Sequence, residues 1–105
     1  MSNLSIYITA TIDPKNRDKF FETFLPFYQE ITALPGCTFF EVYESPENPG
    51  EISWMENWSL SVDEVLAILH QDKYKPAFET LLSFLVKPRE TKILNRIGEP
   101  YTYRA

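Results

Sequence analysis

Between Pro35 and Gly50 the chain reads turn, strand, turn, and it runs directly into a second strand that ends Trp54-Met55-Glu56-Asn57-Trp58. Gly36 permits a sharp turn out of a preceding helix, and Pro46-Glu47-Asn48-Pro49-Gly50 supplies a hairpin connection. The intervening run, Cys37 to Glu44, is aromatic and β-branched and suits a pleated and largely buried surface. Two adjacent strands, Cys37 to Glu44 and Glu51 to Trp58, are therefore predicted. They are rich enough in aromatic rings to wall a pocket for a flat organic molecule.

The flanking segments organise around this hairpin. From Leu4 to Ile12, Ile6, Ile8, Ala10 and Ile12 alternate with Tyr7, Thr9 and Thr11, which is the period of a strand. Asp13-Pro14 then stops the strand and opens a helix, with Asp at the cap and Pro at the first position. Phe20, Phe21, Phe24, Phe27, Tyr28 and Ile31 keep helical spacing to about Ala33, with Pro26 expected to kink the helix. Ser61-Val62-Asp63-Glu64 is a capping box, and Leu60 and Val65 form its hydrophobic staple, so a short helix is predicted over 62–71. Pro76 opens a further helical stretch with Phe78, Leu81, Leu82 and Leu85 on one stripe, ended by Lys87-Pro88. Residues 90–97 alternate as a last strand. Tyr101 and Tyr103 in the tail are placed to lie across a partner.

The order β-α-β-β-α-β, with an interrupted second helix, predicts an α+β, ferredoxin-like fold: an antiparallel four-stranded sheet with helices on one face. All 105 residues read as one domain, 1–105. Aromatic residues make up 15% of the chain, and large apolar groups are expected on both sheet faces. Helices can cover only one, so a homodimer hiding the other is expected. The net charge is −5 and Lys and Arg are scattered, which argues against nucleic acid as a partner. No apolar run approaches the ~20 residues of a membrane helix, so no membrane partner is expected. Met1-Ser2-Asn3-Leu4-Ser5 carries no secretory pattern, and the one cysteine cannot form an internal disulfide. A cytoplasmic location follows as the expectation. Asn3-Leu4-Ser5 and Asn57-Trp58-Ser59 match glycosylation triplets and, without a secretory signal, read as chance.

Pro35-Gly36-Cys37, Phe40-Glu41-Val42-Tyr43, Pro46 to Gly50 and then Glu56-x-Trp58, in this order, resemble the antibiotic biosynthesis monooxygenase family over nearly the whole chain. Lys87-Pro88-Arg89-Glu90-Thr91-Lys92-Ile93-Leu94 is similar to small single-domain fungal members. The resemblance implies a dimeric α/β barrel, two sheets face to face, with a pocket in each subunit between sheet and helices. It implies chemistry drawn from cofactor-independent oxygenases of aromatic polyketides, anthrones and quinols, haem-degrading oxygenases, or an isomerase-like branch acting on small signalling sugars. Fold is implied more firmly than reaction. The haem-degrading pattern is not met: Ile8 stands where that branch has Asn, the second helix has no Trp, and His70 is displaced by a short insertion.

Several residues could carry chemistry. His70, the single histidine, ends the short helix; it reads as a general base near neutral pH or as an ordinary imidazole at a helix C-terminus. Tyr74 and Arg89 are the candidate partners of a substrate oxyanion, against the plainer readings of a packed ring and a surface ion pair. Trp54, Glu56 and Trp58 share one strand face, as a pocket wall with a buried carboxylate or as sheet core with Glu56 held by backbone or by an arginine such as Arg96. Met55 and Asn57 point to the opposite face, toward the dimer interior. Phe24, Tyr28 and Tyr43 join the candidate substrate-binding set. Tyr7 shares Tyr43's ambiguity between packing and hydrogen bonding. Cys37 reads as a packed thiol. Glu41, Glu44 and Glu47 straddle a strand and a turn without a histidine, and no glycine-rich phosphate loop or dinucleotide fingerprint occurs, so neither metal nor cofactor is expected. The expected function is a cofactor-independent monooxygenase of a phenolic, polyketide- or quinol-like small molecule. The alternatives are an isomerase or cyclase working through an enolate, and a non-catalytic small-molecule-binding dimer.

Overall fold

The computed structural model describes residues 2–105; Met1, the first residue of the N-terminal stretch considered above, lies outside the described residues. The chain begins with β1 (Leu4–Thr11), whose alternate residues Leu4, Ile6, Ile8 and Ala10 are buried. Ser5 is buried as well, because its hydroxyl donates to Asn57 Oδ1 at 2.6 Å and accepts from Arg96 at 3.2 Å. A 3₁₀ turn at Pro14–Asn16, capped by the Asp13 carboxylate accepting the Lys15 N–H, leads into α1 (Arg17–Thr32). The helix contains Pro26 and buries Phe20, Phe24, Phe27 and Ile31 on one stripe.

The hairpin of β2 (Cys37–Glu44) and β3 (Glu51–Trp58) follows with the bounds that the sequence predicts. Gly50 closes it at φ +87°, where a Cβ would lie 2.1 Å from the Ile12 carbonyl oxygen, so two separate constraints require glycine. Gly36 differs from expectation: its φ is not positive, and a Cβ there would lie 2.5 Å from the Leu60 side chain, which would have to move. Next come α2 (Val62–Leu69), α3 (Lys75–Ser83) and β4 (Glu90–Asn95), with a 3₁₀ turn at Asp72–Tyr74 between the two helices. The capping box is formed: the Ser61 hydroxyl accepts the Glu64 N–H at 3.2 Å, and the Glu64 carboxylate accepts the Ser61 N–H at 3.0 Å. That bond pulls the Glu64 carboxyl below its ordinary range.

The sheet is antiparallel in the order β2-β3-β1-β4, the ferredoxin-like arrangement. Expected bounds move by one residue at the ends of β1 and α1, and further at three other places. The short helix ends at Leu69 with His70 as its cap, the next helix ends at Ser83, and β4 stops at Asn95. Ile97, expected in that strand, is 79% exposed, because Arg96 turns its guanidinium onto the Leu4 and Trp58 carbonyls and the chain then leaves the edge of the sheet.

The helix-side face carries Leu4, Ile6, Ile8, Ile52, Trp54 and Trp58, and with the α1 phenylalanines these form one core cluster. The outer face is more mixed than expected. Register aligns Tyr7 with Met55 and Lys92, Thr9 with Ser53 and Glu90, and Ser5 with Asn57 and Leu94. Aromatic and apolar groups therefore stand among hydroxyls and amides, rather than as a continuous greasy surface.

Candidate functional site

The helix layer covers the sheet unevenly, and the site lies where it is thin. The 16-residue α1 packs its rings against β3 and leaves β2, expected to be largely buried, half-buried to exposed: Phe24 lies 5.5 Å from Phe20 and 4.9 Å from Trp54, centroid to centroid. The second helical segment is broken into two short helices, eight and nine residues long, joined through the 3₁₀ turn. These do not close over β1 and β4, and a cavity of about 600 Å³ remains. Its floor is Ile6, Ile8, Trp54 and Ile93; Phe27 and Phe78 wall one side and Leu66 and Leu69 another. This size and apolar character are those of a small-molecule pocket.

The polar groups of the cavity are few and unevenly placed. His70, Gln71, Asp72, Lys75 and Glu79 come from α2, α3 and the turn between them, and Arg89 comes from the segment before β4. Glu56, on the sheet floor, is 6% exposed. Its carboxylate accepts one hydrogen bond from each neighbouring indole: Trp54 Nε1 to Oε2 and Trp58 Nε1 to Oε1, both at 2.9 Å. The geometry follows from the strand. Residues two apart share a face, so tryptophans on either side of a glutamate can both turn their N–H groups onto it. Burial pushes the Glu56 carboxyl above its ordinary range, while the two indole bonds and the charge of Arg89 oppose that rise only in part.

The expected partner of Glu56 is thus corrected. Arg96 does not reach it. The guanidinium is spent on the Leu4 carbonyl, Ser5 Oγ and the Trp58 carbonyl, at the end of the sheet where β1 meets β3 and β4.

Of the remaining candidates, the structure brings His70, Arg89, Trp54 and Glu56 into the one cavity. Trp58 is fully buried beneath the floor and meets the cavity only through its bond to Glu56. Tyr74, 2% exposed, packs edge-on against Phe27 at 5.9 Å and does not line the cavity. Phe24 and Tyr28 border a different, open groove between α1 and β2, together with Phe21, Leu25 and Phe40. Tyr43 is 40% exposed on the outer face, with its hydroxyl 3.2 Å from Glu41 Oε2. Cys37 is half-buried, and burial raises its thiol further from thiolate character. Among the described residues no group of three His, Cys, Asp or Glu side chains is placed to hold a metal ion, and no helix is long and apolar enough to cross a membrane.

Sequence reasoning missed Phe78, Leu66, Lys75 and Thr91 as cavity-lining residues, whereas Phe27 is one of the first long helix's phenylalanines expected as walls. Phe78 reads as a stripe residue of an amphipathic helix, and the same spacing that buries a stripe also lines a gap when the helix stops short.

Comparison with known proteins agrees with this architecture. The family model for antibiotic biosynthesis monooxygenase matches residues 4–80. A protein of Pestalotiopsis microspora, provisionally named a monooxygenase, is 31% identical over 96 residues, which cover 90% of this chain and 80% of that protein. Among solved structures, an antibiotic biosynthesis monooxygenase homologue from Caulobacter crescentus CB15 superposes with a TM-score of 0.83 at 18% identity, over 92% of each chain. A point mutant of SnoaB, a cofactor-independent oxygenase from Streptomyces nogalater, superposes with a TM-score of 0.79 at 12% identity, over 97% of this chain and all of that one.

Proposed function

The chain belongs to the antibiotic biosynthesis monooxygenase family, and from that membership and the chemistry of the cavity we propose that it is a cofactor-independent monooxygenase of a phenolic, polycyclic or quinol-like small molecule, working as a homodimer. The observation that carries the reading is the cavity itself. It is apolar, it lies between sheet and helices, and two groups able to take a proton, Glu56 and His70, face it together with the guanidinium of Arg89.

The reaction asks little else of the protein. A base removes an acidic proton from the substrate, leaving a carbanion delocalised onto a phenolic or ketonic oxygen. The carbanion passes one electron to dioxygen, and the radical pair combines to a peroxide. The peroxide loses water to leave a new carbonyl. A methylene and one dioxygen thus become a ketone and one water: one oxygen atom enters the product and the other leaves in water. Arg89 stabilises the oxyanion, and Trp54, Phe27 and Phe78 keep the intermediate from solvent. Tyr74, buried away from the lining, takes no part in this scheme.

The test is oxygen uptake on anthrone by the purified protein, with product analysis under labelled dioxygen. The expected result is one labelled oxygen per anthraquinone formed, and a fall of at least about tenfold in kcat/KM, about 1.4 kcal/mol, in Leu66→Trp, which fills a half-exposed edge of the cavity. Unlabelled product, or uptake that ignores the Leu66 substitution, contradicts the proposal. Deprotonation without uptake favours the isomerase or cyclase alternative, and binding without either favours a non-catalytic dimer.

A further inference from the structure

We infer that Glu56 is the group that takes the substrate proton, and that Trp54 and Trp58 are its positioning residues, one locking each carboxylate oxygen. The inference rests on the proposed deprotonation chemistry and assigns its base. Three observations on the floor of the cavity lead to it. The carboxylate is almost wholly withdrawn from water yet faces the cavity. Among the described residues it takes part in no ion pair, the usual compensation for a buried charge. Its two hydrogen bonds come from indoles, which can donate but never accept, so neither can relay or compete for a proton. An ionised carboxylate offers about four acceptor positions, and the indoles occupy two. The others remain for a substrate O–H or C–H.

A purely structural glutamate at this place would satisfy two indoles that could be satisfied more simply by a neutral amide or by water. What the carboxylate adds is basicity. Burial raises its proton affinity, and the indoles hold its plane fixed so that little reorganisation accompanies transfer. His70, by contrast, sits exposed at the end of α2, at the rim. The step moves one proton from substrate to a Glu56 oxygen and leaves the electron pair on the substrate, delocalised toward the guanidinium of Arg89. The hydroxide expelled as the peroxide collapses takes that proton from Glu56 and leaves as the one water formed, which restores the carboxylate. The charged and titratable groups facing Glu56 are Arg89 and Cys37, and, across the cavity lining, His70, Asp72, Lys75 and Glu79.

The chain has only two tryptophans, and both bond to Glu56, so the two indole N–H signals of a ¹H–¹⁵N spectrum report this carboxylate directly. Both are expected to titrate together with one midpoint above the ordinary carboxylate range, and to stop titrating in Glu56→Gln. Indoles that titrate separately, or not at all, overturn the inference. The second arm is the exchange of anthrone methylene protons with D₂O without oxygen. Relative to wild type, Glu56→Gln should lose about 10²-fold or more, and His70→Ala, at the rim of the cavity, should lose far less. Trp58→Phe and Trp54→Phe remove a donor that favours the charged carboxylate, so the acidic limb of the rate should move to higher pH, which loss of packing alone does not do. Exchange retained within about threefold in Glu56→Gln, or lost in His70→Ala, overturns the base assignment and leaves the oxygenase proposal standing. Exchange without oxygen uptake supports the base and overturns the oxygenase. A wild-type protein that neither exchanges nor oxidises anthrone counts against both.

Discussion

Burial makes Glu56 hold its proton more tightly in the folded chain than in the unfolded one, and stability then depends on pH through it. Because the folded pKa is raised, its contribution is fully present below the unfolded carboxylate pKa and is lost as pH rises through the folded value. Glu56→Gln should therefore flatten the stability profile across that window. Urea unfolding of both proteins from mildly acidic to neutral pH checks this: the difference between them should shift in favour of the variant as pH rises, and an unchanged difference contradicts it. At this scale the alternation Trp54-x-Glu56-x-Trp58 was legible in the sequence as one face of a strand. Its hydrogen-bond partners were not. Arg96 is a candidate on paper, and only the register that sets Leu4 against Asn95 puts it on the Leu4 and Trp58 carbonyls instead.

Between elements, turn chemistry does most of the work. Gly50 holds a left-handed backbone and receives the Ile12 N–H on its carbonyl at 2.8 Å, so it fixes the hairpin and ties it to the residue that follows β1. Gly50→Ala should cost more than the roughly 1–2 kcal/mol of the left-handed penalty alone, because the added Cβ meets backbone rather than a movable side chain. Chemical denaturation measures it, and a loss under about 0.5 kcal/mol contradicts the requirement. In Ser61→Ala the capping box loses one of its two bonds, with an expected cost of about 1 kcal/mol and a melting temperature lower by roughly 4–8 °C. The hairpin, the capping box and α1 were readable because each is written in local residues. The cavity was not. It is a gap, set by how far α2 and α3 fall short of β4, and no single stretch of sequence records a gap.

Over the whole molecule, the proposed homodimer would use the outer sheet face. Tyr7 and Met55 lie at its centre, with Phe39, Tyr43 and Leu94 around them. A second copy laid face to face would cover this patch, and its hydroxyls and amides would give the interface register as well as adhesion. Sedimentation of the wild type should give twice the chain mass, and Tyr7→Lys combined with Met55→Lys should give the chain mass with the fold retained. A wild-type monomer contradicts the homodimer. The cavity lies on the other face, so its chemistry and the dimer can fail separately. Where the substrate sits is the claim on which the rest depends, and a crystal structure with bound anthraquinone, the expected product, tests it most directly. The expected result is a ring system lying over Trp54 with a carbonyl toward Arg89 and its edge toward Glu56. Density confined to the groove between α1 and β2, or to the outer sheet face, contradicts it.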